Sequence, residues 1–181
     1  MVYAMNKHIE NLVLSALFLA LTYILPILTG NVPQVGAMLL PMHIPVLLCG
    51  FLCGAPWGLA VGLIAPIMRS VLTGGFPPMF PTAAAMAFEL AVYGFVSGFV
   101  YRRLPKKLTG IYPSLVTSML CGRVVWGLVM SLLLMNGDGF TFAAFIAGAF
   151  TNAIPGIILQ LLVIPPVVLS LRKFSFVPGE V

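Results

Sequence analysis

The chain has 181 residues, of which 61% are hydrophobic and 7% charged, and its mean hydropathy is +1.12. A soluble domain of this length needs far more polar surface, so the composition excludes that class and implies an integral membrane protein. The net charge of +5 comes mostly from Lys and Arg at the ends of apolar runs, which is a membrane-topology pattern and not a nucleic-acid footprint.

The first apolar run, residues 9–28, follows Lys7 and is about 20 residues long, the length of a bilayer span. It exceeds the core of a secretory signal and reads as a first transmembrane helix. On it Ala16 and Ala20 form an AxxxA step among Leu, Phe and Ile. That spacing suits close helix contact, and ordinary packing within the chain is the favoured reading of the residues alone. The loop 29–40 that follows has Gly30, Pro33 and Gly36 and no charge, and suits a lid that orders over a ligand.

Next comes PMHIPVLLCGFLCGAPWGLAVGLIAPIMR, residues 41–69. It reads as a short second helix, 43–54, and a third, 57–73, broken at Ala55-Pro56 because proline has no N–H to continue the turn. Gly50, Gly54, Gly58 and Gly62 recur every four positions, and Gly94 and Gly98 repeat the step on a fourth helix, 80–101. Small residues at this spacing let helices approach closely. A fifth helix is expected over 111–135 and a long sixth over 143–171, with Pro155 and Pro165-Pro166 inside it. The expected fold is therefore an all-α membrane domain of six transmembrane helices spanning the whole chain, 1–181. Cys49, Cys53 and Cys121 all fall in apolar runs. A disulfide framework or a zinc site, which wants about four ligands, is not expected, and neither is a cofactor.

Loops that carry Lys and Arg near membrane ends face the cytoplasm. Lys7 precedes the first helix, Arg102, Arg103, Lys106 and Lys107 lie between the fourth and fifth, and Arg172 and Lys173 follow the sixth. With six spans all of these fall on one side, so both termini are expected to be cytoplasmic. The opposite loops hold no Lys or Arg and only Asp138.

Arg69 and Arg123 are the basic residues left over, and Glu89 is the acidic residue deep within a span. At about 1.5 Å per residue, Arg69 and Arg123 each lie roughly 18 Å from the inner ends of their helices. Glu89 and Asn152 lie roughly 13 Å from the outer ends of theirs, so in a core of about 30 Å the four reach one level. His43, at the outer end of the second helix, and Gln34, in the first outer loop, are placed to close such a site from above. An ion-pair network that only fixes helix packing is the plainer reading, but it leaves one positive charge without a counter-ion in low dielectric. Ionisable residues at this depth point to function. Gln160, deeper still, is expected to bond between helices.

The six helices, the basic loop between the fourth and fifth, the AxxxA step at Ala16 and Ala20, and the run MHIPVLLCGFLCGAPWGLAVGLIAP together resemble a substrate-binding S component of an energy-coupling factor (ECF) vitamin transporter. The resemblance covers nearly the whole chain. It implies a subunit that captures a water-soluble vitamin beneath its outer loops, docks through the first-helix alanines on a transmembrane T subunit coupled to two ATPases, and topples in the membrane to release its cargo.

The chain has no GxxxxGK[ST] phosphate loop, which fits energy supplied by partners. No HExxH or GxSxG motif is present, so an enzyme is not expected. One positive charge in excess favours an acidic vitamin such as pantothenate, because guanidinium binds carboxylate bidentately. A neutral ring vitamin of the pyridoxine or hydroxymethylpyrimidine type is the alternative, as is a self-standing small membrane transporter. Phe80, Phe88, Tyr93, Trp126 and Phe145 are the aromatic residues placed to stack on a ring or to serve as packing.

Overall fold

Glycine and proline decide where the helices of this chain begin and end. The computed structural model describes residues 7–28, 36, 38–135 and 140–173. Its helices are α1 (Lys7–Leu28), α2 (His43–Cys53), α3 (Ala55–Leu72), α4 (Ala84–Arg103), α5 (Leu108–Leu133), α6 (Phe142–Ile146) and α7 (Ile154–Lys173). Two wide turns, Met79–Ala83 and Ala147–Thr151, lead into α4 and join α6 towards α7. No strand occurs among the described residues.

Among the described residues, five stretches are long and apolar enough to cross a membrane: Lys7–Leu28, Ala55–Leu72, Met79–Arg103, Leu108–Leu133 and Phe142–Lys173. The sixth apolar helix, α2, has 11 residues, about 16 Å, or roughly half the hydrocarbon core. The architecture is the all-helical membrane type expected, with one of the six segments too short to span by itself.

The break between α2 and α3 sits slightly earlier than the Ala55-Pro56 step. Gly54 adopts φ +99°, and its N–H bonds back to the carbonyls of Cys49 and Gly50. Glycine takes this left-handed backbone without strain and ends α2. Pro56 then falls in the first turn of α3, where a missing N–H costs nothing. The same logic applies to Pro155, which lies in the first turn of α7 because the chain turns at Asn152 and Ala153.

α2 is the centre of the molecule. Every residue from His43 to Cys53 except Ile44 is buried, as befits a helix that is apolar all round. It packs against α1, where the Cys49 thiol donates to the Ser15 hydroxyl at 3.5 Å, and against α4 through glycine. A Cβ on Gly58 would strike the backbone of Gly94, and one on Gly94 would strike that of Gly58. Gly50 and Gly98 are closed in the same way, by Gly94 and by Gly50 and Ala55. The three helices α2, α3 and α4 therefore touch largely backbone to backbone, with the small Ser97 side chain also against Gly50.

α1 has two distinct faces. Ser15, Phe18, Thr22 and Pro26 are buried, a stripe at helical spacing that meets the core. Ala16 and Ala20 are exposed, among the exposed Leu12, Val13, Leu17 and Ile24. Packing within the chain therefore does not account for the AxxxA step.

The glycine seam generates a stability prediction. Gly94→Ala places a methyl group against backbone that cannot rotate away, and is expected to cost about 1–3 kcal/mol. Gly36→Ala, where a Cβ meets nothing within 4 Å, is expected to be neutral. Thermal unfolding in detergent micelles measures both, and equal melting curves for the two variants would refute backbone contact at Gly94.

Candidate functional site

Because α2 stops half-way across the bundle, space remains beyond its N-terminus. A cavity of about 340 Å³ lies there, at the small end of the range of roughly 300–1,000 Å³ typical of ligand pockets. Its walls come from almost every element: Pro26 of α1, Leu40 to His43 at the start of α2, Arg69 of α3, Glu89 of α4, Arg123 and Trp126 of α5, and Gly148 and Asn152 of the last segment.

Five of the six residues singled out from the sequence thus meet around one cavity. His43, Arg69, Glu89 and Arg123 are each at most 5% exposed, whereas Asn152 is exposed. The sixth, Gln34, lies outside the described residues, as does most of the loop expected to form a lid.

Glu89 is the hub of the polar cluster. Arg123 Nη1 approaches its Oε1 at 2.9 Å, and His43 Nε2 approaches the same oxygen at 3.5 Å. The first is an ion pair, while the second is too long for a good hydrogen bond. His43 is braced edge-on by the Tyr93 ring, centroid to centroid 5.1 Å. Tyr93 in turn is clamped by α5, since a Cβ on Gly122 would collide with its ring. On Arg123, Nε and Nη2 are buried and make no hydrogen bond of good geometry to a described residue, although the guanidinium also interacts with the Tyr93 hydroxyl. That edge of a guanidinium is the one that takes an oxyanion bidentately.

Arg69 supplies a second cation to the same walls. Its carbonyl accepts from the Thr73 hydroxyl at 2.7 Å, and that hydroxyl also meets the Phe76 carbonyl. The tie folds the following loop back over α3, so that the Arg69 guanidinium lies 5.9 Å from the Phe76 ring centroid. Counting His43 as neutral, the described walls carry two positive charges and one negative.

The apolar part of the lining was only partly foreseen. Trp126 lines the cavity, backed by Phe145 at 6.3 Å and met edge-on by Phe140 at 5.5 Å. Phe80 and Phe88 point outward, at 61% and 53% exposure. The sequence reading missed Phe76, Pro77, Pro78, Thr82 and Met86. For Phe76, Pro77 and Pro78 the signal was the FPP run itself, whose prolines restrict the backbone; Thr82 and Met86 had none. The wide turn Ala147–Thr151 was missed as well. Its bond from Asn152 N–H to the Ala147 carbonyl, 2.9 Å, brings Asn152 to the cavity, and such turns recur at functional sites. Gln160 is fully buried, but neither amide atom bonds to a described residue, so the expected interhelical bond is not made there.

A family model described as "ECF transporter, substrate-specific component" matches residues 10–168 of the chain. No curated protein and no solved structure matches it.

The Glu89–Arg123 pair generates a double-mutant prediction. Glu89→Leu strands a buried guanidinium and is expected to cost about 3–5 kcal/mol, whereas Glu89→Leu with Arg123→Leu recovers most of that loss. Thermal unfolding in detergent gives the comparison. A double variant no more stable than Glu89→Leu would show that the two charges are not coupled.

Proposed function

The chain belongs to the substrate-specific components of energy-coupling factor (ECF) transporters, membrane proteins that capture a substrate for an ECF module, and we propose that its cargo is a small water-soluble vitamin bearing a carboxylate, such as pantothenate. The observation that carries this reading is the excess of donors and positive charge around the cavity. Arg123 keeps Nε and Nη2 without a hydrogen bond of good geometry to a described residue while its Nη1 meets Glu89, and Arg69 adds a second cation to the walls. An acceptor-rich anion satisfies those Arg123 donors.

Two further features support the same class. The cavity begins at His43, the first residue of α2, so the positive end of that helix dipole faces the ligand. The volume of about 340 Å³ suits a short-chain or one-ring molecule, held between the Trp126 and Phe76 rings and the charged floor. In this reading His43 and Glu89 position Arg123, Asn152 and Gln34 hydrogen-bond the polar end of the cargo, and uptake draws its energy from a T subunit and two ATPases. The basic end of the bundle, with Lys7, Arg102, Lys106 and Arg172, faces the cytoplasm. The cavity then opens towards the outside.

Docking on the T subunit falls to α1. Ala16 and Ala20 are exposed on the face turned away from the core, which leaves a shallow groove where another helix approaches closely.

Two measurements test these roles. By titration calorimetry against pantothenate, Arg123→Lys is expected to lose roughly tenfold or more in affinity, about 1.5–3 kcal/mol, because lysine cannot offer two parallel donors. Arg69→Lys keeps the charge and is expected to lose less. Folded variants that both bind the native ligand unchanged would rule out an anionic cargo and favour a neutral ring vitamin. Replacing Ala16 and Ala20 together by Trp is expected to leave binding intact and abolish uptake in cells carrying the T subunit and ATPases. Normal uptake by that variant would remove α1 as the docking face, and uptake by the purified chain alone in liposomes would show a self-standing transporter.

A further inference from the structure

Among the described residues, three rings at the cavity end of the bundle are seated on helical glycines. The Tyr93 ring stands where a Cβ on Gly122 would be, the Phe145 ring lies 2.5 Å from a Cβ built on Gly127, and the tip of the Trp126 indole lies 2.7 Å from one built on Gly148. Gly122 and Gly127 belong to α5, and Gly148 to the wide turn Ala147–Thr151. None of the three has the positive φ that favours glycine, so the backbone conformation does not call for it. The space does.

Gly127 and Gly148 form a reciprocal arrangement. Trp126, the neighbour of Gly127 on α5, reaches over Gly148, and Phe145, one turn before Gly148, reaches back over Gly127. The two rings are roughly parallel, at 26° with centroids 6.3 Å apart, and Phe140 meets the indole edge-on at 5.5 Å. Trp126 is thus met at its tip by main chain, along one face by Phe145 and edge-on by Phe140. Of these five residues, Trp126 and Gly148 line the cavity, while Gly127, Phe140 and Phe145 do not.

We propose that Gly148 sets the size of cargo that the cavity accepts, by letting the Trp126 indole stand back from it. The inference rests on the reading of this cavity as the cargo site. A methyl group at position 148 adds bulk to the wall itself and drives the indole tip away from the main chain. With Phe145 and Phe140 behind it, the ring moves into the cavity. At about 340 Å³ the cavity is at the small end of ligand pockets, and a close-packed wall discriminates at the level of one methylene. Gly148 is then a specificity-determining residue that acts through a ring and not through a polar contact.

The test uses the purified full-length chain in detergent micelles, titrated calorimetrically with pantothenate and with homopantothenate, its homologue longer by one methylene. Gly148→Ala is expected to weaken homopantothenate more than pantothenate, changing the ratio of the two affinities by roughly tenfold. Gly148→Ala with Trp126→Phe, whose smaller ring gives back the space, is expected to return the ratio towards the wild-type value. Gly127→Ala displaces Phe145, which stands outside the lining, and is expected to lower the melting temperature while leaving the ratio unchanged. A second readout needs no ligand. The chain has two tryptophans, so in a Trp57→Phe background the emission comes from Trp126 alone. Gly148→Ala is expected to shift that emission to the red and to make it easier to quench with acrylamide, as the indole enters the cavity. Melting curves establish that each variant is folded. An unchanged ratio in folded Gly148→Ala, no recovery in the double variant, or an equal change in Gly127→Ala overturns the proposal. Binding of neither compound by the wild type would reject the acidic cargo instead; the emission then decides, and an unmoved indole overturns the role of Gly148.

Discussion

Backbone contact among α2, α3 and α4 is the constraint on which the cavity beyond α2 depends. With Gly58 against Gly94, and Gly50 and Gly98 closed by neighbouring main chain, the three helices have one available depth and rotation relative to each other. About two turns beyond the seam, α2 reaches His43 and α3 reaches Arg69. Both lie roughly seven residues from a seam glycine and so on the same face of their helices. On α4 Glu89 adjoins Leu90, whose carbonyl closes off Gly62. A seam of glycine backbone therefore determines where the charged side chains meet, and α5 completes the set by presenting Gly122 to Tyr93 and Arg123 to Glu89.

The charges so collected would be a poor way to stabilise a membrane protein. Burying an ion pair yields little net stability over apolar packing of the same volume, and here the pair is incomplete in its hydrogen bonds. On the proposed reading, the arrangement is a preorganised set of hydrogen-bond donors. Glu89 holds one edge of Arg123, Tyr93 braces His43, and Phe76 lies over Arg69, so the donors stand in place before a ligand arrives. The short α2 provides the room. A second helix of full span would fill the volume that the cavity occupies.

The two ends of the bundle differ in their charges. The substrate end mixes two cations, one anion and an aromatic wall around a small volume. At the other end Arg172 and Lys106 meet Tyr101. Between them α1 is attached by one stripe only and leaves Ala16 and Ala20 outward. A helix held by one face and open on the other can meet a partner without disturbing the cavity that the remaining helices enclose.

The sequence by itself determined the membrane class, the six apolar segments, and the residues that belong together. Hydropathy reports bilayer solvation, and depth along a helix follows from a fixed rise per residue, so Arg69, Glu89, Arg123 and Asn152 are placed at one level without coordinates. It also singled out Ala16 and Ala20 as a helix-contact step, but from the residues alone favoured an internal contact. Tertiary structure decided what depends on rotation and on neighbours distant in the chain. It paired Glu89 with Arg123, turned Ala16 and Ala20 outward, brought the FPP loop back over Arg69 through Thr73, and bent the last helix at Asn152. Rotation about a helix axis is weakly encoded in this chain, because residues facing lipid and residues facing the core are equally apolar. Which face is buried is then settled by backbone contact at glycine and by buried charge, and both appear only when the helices are assembled.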